Sequence, residues 1–171
     1  MPLGQRFDAQ KAIEAILYVA HRVRDPSFHR ISKVLYFADK QHLTNYGCLI
    51  TGDDYVAMKH GPVPSGVYDL LKSVRGDGSH HDRQRAAEAF AIAGTCRIQP
   101  HRSENRELLS DADVESMDAA IHEFGDLPFE ALTRRSHDAA WRAADDNEFI
   151  SLEDIARASS GGKDLVRYIR D

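Results

Sequence analysis

A chain of 171 residues with 42% hydrophobic and 29% charged side chains is long and apolar enough for a globular domain with a real core, which excludes a wholly disordered polypeptide. Its formal net charge of -5 argues against broad affinity for nucleic acid, which needs an excess of Lys and Arg to displace counterions. No run approaches the roughly 20 apolar residues of a membrane span, and Met1 to Asp8 lacks the regions of a signal peptide, so a cytoplasmic protein without a membrane partner is expected.

Asp8 is placed to cap a first helix in which Ile13, Ile16, Leu17, Ala20 and Val23 fall at helical spacing, ending near Asp25. Asp25-Pro26 then offers a cap and a first-turn proline for a second helix carrying Phe28, Ile31, Leu35, Ala38 and His42, with Gly47 as terminator. The short connection predicts a helical hairpin whose seam starts the core. Thr51-Gly52-Asp53 reads as a turn and Tyr55 to Lys59 as a strand. Pro62 and Pro64 hold the residue before each in extended geometry, so the strand is expected to stop there. A helix then begins at a defined angle, capped by Ser65, apolar at Val67, Leu70, Leu71 and Val74, and ended by Gly76.

The stretch GDGSHHDRQRAAEAF reads as an exposed, mobile loop entering a helical turn at Arg85 to Ala89. Phe90, Ile92, Cys96 and Ile98 suggest one or two short strands broken at Gly94, with HRSENRELLS as the candidate hairpin partner. Ser110 with Asp113 resembles a capping box for a helix carrying Val114, Met117, Ile121 and Phe124, closed by Gly125. Pro128 opens a short helix, Trp141 anchors the next turn, and Ser151 with Asp154 caps a further helix that ends before Gly161-Gly162. The tail KDLVRYIRD is one more short helix or is frayed. Together these elements predict an α+β fold: one mainly α-helical domain over residues 1–171, with a small antiparallel β-sheet built near 55 to 59 and 90 to 109.

Few groups suggest a reaction. Cys48 and Cys96 stand far apart with no Cys-x-x-Cys spacing, and both read as buried thiols. The nine histidines form no His-x-x-x-His or His-Glu-x-x-His pattern, and Asp53-Asp54 reads as a pair of solvated turn carboxylates, so no metal and no cofactor is expected. Asp39 and His42, three residues apart on one helix, could orient an imidazole for hydrolysis, against the simpler reading of a structural contact. No nucleophile elbow or phosphate-binding loop is present, which disfavours an enzyme. The strand, helix and hairpin between 55 and 109 would suit a winged-helix reader with Gly66 to Val74 in the major groove. That helix offers only Lys72, with Arg75 just beyond, so nucleic acid ranks below protein as a partner.

One long stretch, KVLYFADKQHLTNYGCLITGDDYVAMKHGPVPSGVYDLL, resembles the signature of the Panacea domain, the family of SocA-like bacterial antitoxins also labelled phage-associated GepA-like proteins. The resemblance rests on Tyr36-x-Ala38-Asp39, the Gly47 to Gly52 turn, Tyr55, His60-Gly61-Pro62-Val63-Pro64 and Tyr68-Asp69, and continues through Gly125-Asp126-Leu127 and His137 to Trp141. It implies an antitoxin of a toxin–antitoxin system that binds and neutralises a protein toxin encoded beside it. For SocA-like members it also implies a proteolytic adaptor that delivers the toxin to a Clp-type protease.

The stiff proline segment and the resemblance point to one surface. Tyr46, Tyr55, Lys59, His60, Pro62, Pro64 and Tyr68 are the expected partner-binding residues, since aromatic and histidine side chains combine contact area with polar tips. The competing reading packs Tyr55 and Tyr68 beneath the turn and ties Asp39 to His60. Three functions follow from different classes: an antitoxin or adaptor, a winged-helix autoregulator of its own operon, and a small hydrolase using Asp39 and His42.

Overall fold

The computed structural model describes residues 5–171. Helix α1 (Ala9–Ala20) starts where the Asp8 carboxylate accepts the Lys11 amide at 3.0 Å. Residues 12 to 20 are buried without a break, so α1 threads the interior instead of laying one stripe on it. Helix α2 (Phe28–Tyr46) is closed by Gly47 at φ 74, a conformation that glycine adopts without a Cβ penalty. Its cap is Ser27, whose hydroxyl accepts the Arg30 amide, and not the expected Asp25. The reason lies in a distant hairpin: the Ile98 amide donates to the Pro26 carbonyl and the Phe28 amide to that of Cys96, which holds Ser27 extended just before the helix.

The expected α1–α2 seam is a lesser contact. Helix α2 packs most extensively on α5 (Asp111–Phe124), where the Phe37 and Phe124 rings stack at 3.8 Å. Every residue of α2 from 31 to 39 is buried, which makes this helix the axis of the core. The capping box of α5 forms as read, with Ser110 and Asp113 each taking the other's amide.

The fold is α+β and mainly helical, but its β part is two separate two-stranded antiparallel sheets. Strands β1 (Tyr55–Met58) and β2 (Gly61–Pro64) pair Tyr55 with Pro64 and Met58 with Gly61 around a Lys59-His60 turn. The prolines therefore sit inside a strand instead of ending one. Ala57 donates to Glu148 and accepts from Asn147, and the Tyr55 carbonyl accepts from Ile150, so these groups point away from β2. Pro62 and Pro64 stand opposite them, at the positions where the β1–β2 ladder needs no N–H. Strands β3 (Phe90–Ala93) and β4 (Arg97–Pro100) turn around Gly94. Residues 101–109 do not return as a strand; they hold a single 3-10 turn at Arg106–Leu108 and send Arg102 to the buried Glu14.

Helix α3 (Ser65–Arg75) has no cap of its own: Ser65 is its first residue. The acceptor comes from Asp53, whose Oδ1 takes the Gly66 amide at 2.7 Å and whose Oδ2 takes the Val67 amide at 2.9 Å. Far from being a solvated turn residue, Asp53 is buried, and burial pushes its carboxyl up to about 6. The positive end of α3 and its free amides explain why a carboxylate is held there.

After α4 (Arg83–Ala89), β3, β4 and α5, the chain closes with α6 (Phe129–Ser136), α7 (Ala139–Ala143), α8 (Leu152–Arg157) and α9 (Gly162–Arg170). In the segment read as a mobile loop, the half-buried His80 ring meets Phe7 edge-on at 6.5 Å. Cys48 follows the α2 terminator and Cys96 lies at the β3–β4 turn; both are exposed, not buried, because each falls in a surface turn outside the helices and strands that build the core. Among the described residues no helix is long and apolar enough to cross a membrane. Removing the remote cap should be costly: Asp53→Ala is expected to lose about 2 kcal/mol, from two unpaired helix amides, with Asp53→Asn recovering part. Urea unfolding checks this, and an Asp53→Ala variant as stable as the parent would contradict it.

Candidate functional site

The β1–β2 hairpin is gripped at three carbonyls around its turn. The Trp141 indole N–H donates to Met58 at 2.8 Å, His137 Nε2 donates to Lys59 at 3.2 Å, and the Lys33 ammonium donates to Pro62 at 2.9 Å. Lys33 belongs to α2, His137 follows α6, and Trp141 belongs to α7, so three elements hold one turn. Gly61 makes this possible. Its φ is 112, and a Cβ there would lie 2.3 Å from Ser136 Oγ and 2.8 Å from Lys33 Cε. Lys59 and His60 are left exposed at the tip.

Around the tip lies an aromatic face. The His29 ring stacks on Phe129 at 3.9 Å, His60 meets the same ring edge-on at 5.2 Å, and His137 stacks on Trp141 at 3.8 Å. Phe129 is 44% exposed, a large apolar ring presented to solvent between two imidazoles. Burial, helped by the charges of Lys33 and His60, pushes His29 down to about 4, and burial lowers His137 as well. Both rings are therefore neutral near pH 7. Lys33, enclosed on all sides, is pushed down to about 7 by burial.

The predicted contact residues separate in space. Lys59 and His60 form the tip. Pro62 and Pro64 are buried beneath it and act only on its shape. Tyr55 is 1% exposed, its hydroxyl donating to Asp39 at 2.7 Å and its ring edge-on to Tyr36, so it packs inside and reaches no partner. Tyr68 is half-buried on α3 against Phe28. Tyr46 is exposed and donates to Glu115, but it lies at the other end of α2, about 25 Å from His29 at 1.5 Å per residue.

The other candidate constellations also resolve. Asp39 accepts the Ile50 amide at 2.8 Å and the Tyr55 hydroxyl, and burial pushes its carboxyl up to about 7. His42 instead bonds Ser116 at 2.9 Å, with Asp113 3.6 Å away, so Asp39 pairs neither with His42 nor with His60. On α3, Lys72 lies over the Tyr68 ring and beside Asp69, and Arg75 forms a two-pronged bond to Asp77; these cations are committed within the chain. His80, His81 and Asp82 bring ligand atoms within 4.8 Å of one another, with one His80 nitrogen already accepting the Asp82 amide.

Residues 31–142, which include Lys33, Asp39, the hairpin, Phe129 and Trp141, match the family model described as Antitoxin SocA-like, Panacea domain. The chain belongs to this family. No curated protein and no solved structure matches it. The SocA-like domain gives the chain an antitoxin role of the toxin–antitoxin kind, and a toxin is the partner that this role implies in general. Sequence pattern gave no contact role to His29, Lys33 or Phe129, although Lys33 opens the long stretch that carries the resemblance and His137 and Trp141 fall in its C-terminal continuation. Helical spacing gave no signal: His29 and Lys33 lie one turn apart on the face of α2 opposite the Phe28, Ile31, Leu35 and Ala38 stripe, where polar residues are expected.

The buried lysine makes the antitoxin's stability depend on pH in a defined direction. Its value of about 7 in the fold lies below its ordinary 10.5, so as pH falls between the two the unfolded chain gains a proton that the folded chain refuses, and stability drops. Lys33→Met removes that titration and leaves the Pro62 carbonyl unpaired, a pH-independent cost of about 1–3 kcal/mol. The variant is expected to gain on the parent as pH is lowered through this window. Urea unfolding at a series of pH values checks it, and a variant that instead loses ground on acidification would show that the ammonium is stabilised in place.

Proposed function

We propose that this antitoxin binds its toxin through the face around the Lys59-His60 tip, with Phe129, His29 and Trp141 beside it, and that it delivers the bound toxin to a Clp-type protease in the cytoplasm. The observation that carries the reading is the exposed Phe129 ring held between His29 and His60, next to a turn fixed by bonds to the Met58, Lys59 and Pro62 carbonyls. Rings immobilised before binding lose little conformational freedom on association, and a central aromatic with a polar surround is the usual composition of an interface core. The delivery step rests on the likeness to SocA-like proteins. Of the surface residues first read as contacts, Lys59 and His60 stay at its centre, Tyr68 packs on α3 against Phe28, and Tyr46 lies at the other end of α2.

The test is co-expression with the product of the adjacent gene. Wild-type protein is expected to rescue growth and to co-purify with that product. His60→Ala with Phe129→Ala, both exposed, should leave the circular dichroism spectrum unchanged yet weaken co-purification at least tenfold, as two interface anchors of about 1–2 kcal/mol each would. Unchanged binding would move the interface elsewhere, and failure of the wild type to rescue would remove the toxin reading of that gene. In cells lacking the Clp-type protease, the toxin's half-life should lengthen; if it does not while rescue persists, binding alone neutralises.

A further inference from the structure

Outside residues 31–142, the two C-terminal helices enclose a cleft of about 410 Å3 between α8 and α9. Lys163, Arg167 and Arg170 recur at intervals of four and three, which puts them on one stripe of α9, and Arg157 of α8 faces the same space. Val166 forms an apolar floor, and Asp171 also lines the cleft. Arg157 is held by Asp154 at 2.8 Å and Arg170 by both oxygens of Glu153. On a chain of net charge -5, the four cations Arg157, Lys163, Arg167 and Arg170 outnumber the carboxylates of Glu153, Asp154 and Asp171 around this cleft.

We infer that this cleft is a docking site for an acidic polypeptide segment, independent of the hairpin face. Guanidinium forks match carboxylates in pairs of hydrogen bonds, and a ligand that supplies carboxylates relieves the repulsion between neighbouring cations. The stripe from Lys163 to Arg170 spans about 10 Å at 1.5 Å per residue, and carboxylates at alternate positions of an extended segment stand about 7 Å apart, so two fit along it. Tyr168, 61% exposed beside the stripe, adds an aromatic surface for the segment's side chains. A duplex fits less well. It presents a charge about every 1.7 Å over a long face, and the rest of this acidic chain would repel it.

The experiment measures fluorescence anisotropy of a labelled hexaglutamate peptide, with a labelled 20-base-pair duplex in parallel, against the full-length protein at low and moderate salt. The peptide is expected to bind in a salt-dependent manner, at least tenfold more weakly to Lys163→Gln with Arg167→Gln, and no more weakly to Arg24→Gln with Arg134→Gln. Because both substituted cleft residues are exposed, an unchanged thermal midpoint should accompany the loss. Peptide binding that is absent, or equally weakened by the control substitutions, would overturn the proposal. Duplex binding tighter than peptide binding and lost with Lys163 and Arg167 would overturn it in favour of nucleic acid.

Discussion

A central helix with no exposed side has nowhere to put a polar group except against another part of the chain. Helix α2 is such a helix between residues 31 and 39, yet it carries Lys33, Tyr36 and Asp39 there. Each must find its partner inside: Pro62 for Lys33, Asp138 for Tyr36, and Ile50 with Tyr55 for Asp39. No buried side-chain nitrogen or oxygen is left without a partner among the described residues. An orphaned buried group costs about 1–3 kcal/mol, so these bonds dictate where the first hairpin and the start of α7 come to rest. The antitoxin's surface at the tip is a consequence of satisfying the interior of α2.

Local signals were legible in the sequence and remote ones were not. The capping box of Ser110 and Asp113 spans three residues and formed as read, as did the Asp8 cap and the Gly47 stop. Asp53 caps α3 from across a hairpin, and its role is invisible without knowing that β1 and β2 return the chain to it. Pro62 and Pro64 misled for a related reason: a proline ends a strand only where its missing N–H is needed, and need depends on the register. Helical periodicity identified α2 but not its burial on every side, because a polar residue paired from 30 or 100 positions away looks solvated in one dimension. Tyr55 was ambiguous in principle, since an aromatic ring with a hydroxyl serves an interface and a buried hydrogen bond equally well.

The site divides into a stem that tolerates little and a tip that tolerates much. Gly61 has no room for a Cβ, and Pro62 and Trp141 are bonded or enclosed, so the stem's geometry is overdetermined. Lys59 and His60 contribute no side-chain bond to the interior, and the Lys59 backbone carbonyl, which any residue supplies, is what His137 holds. Side-chain chemistry at the tip can therefore change without refolding what presents it.

The placement of the two prolines also governs how this hairpin meets other chains. Along the outer edge of β2, the amide positions that point away from β1 are 62 and 64, and proline fills both. That edge has no donor to offer a passing strand, and one of its carbonyls is already taken by Lys33. A sheet bordered in this way cannot be extended by main-chain pairing, so it resists both edge-to-edge aggregation and recognition by strand addition. Whatever docks on this hairpin must read its side chains.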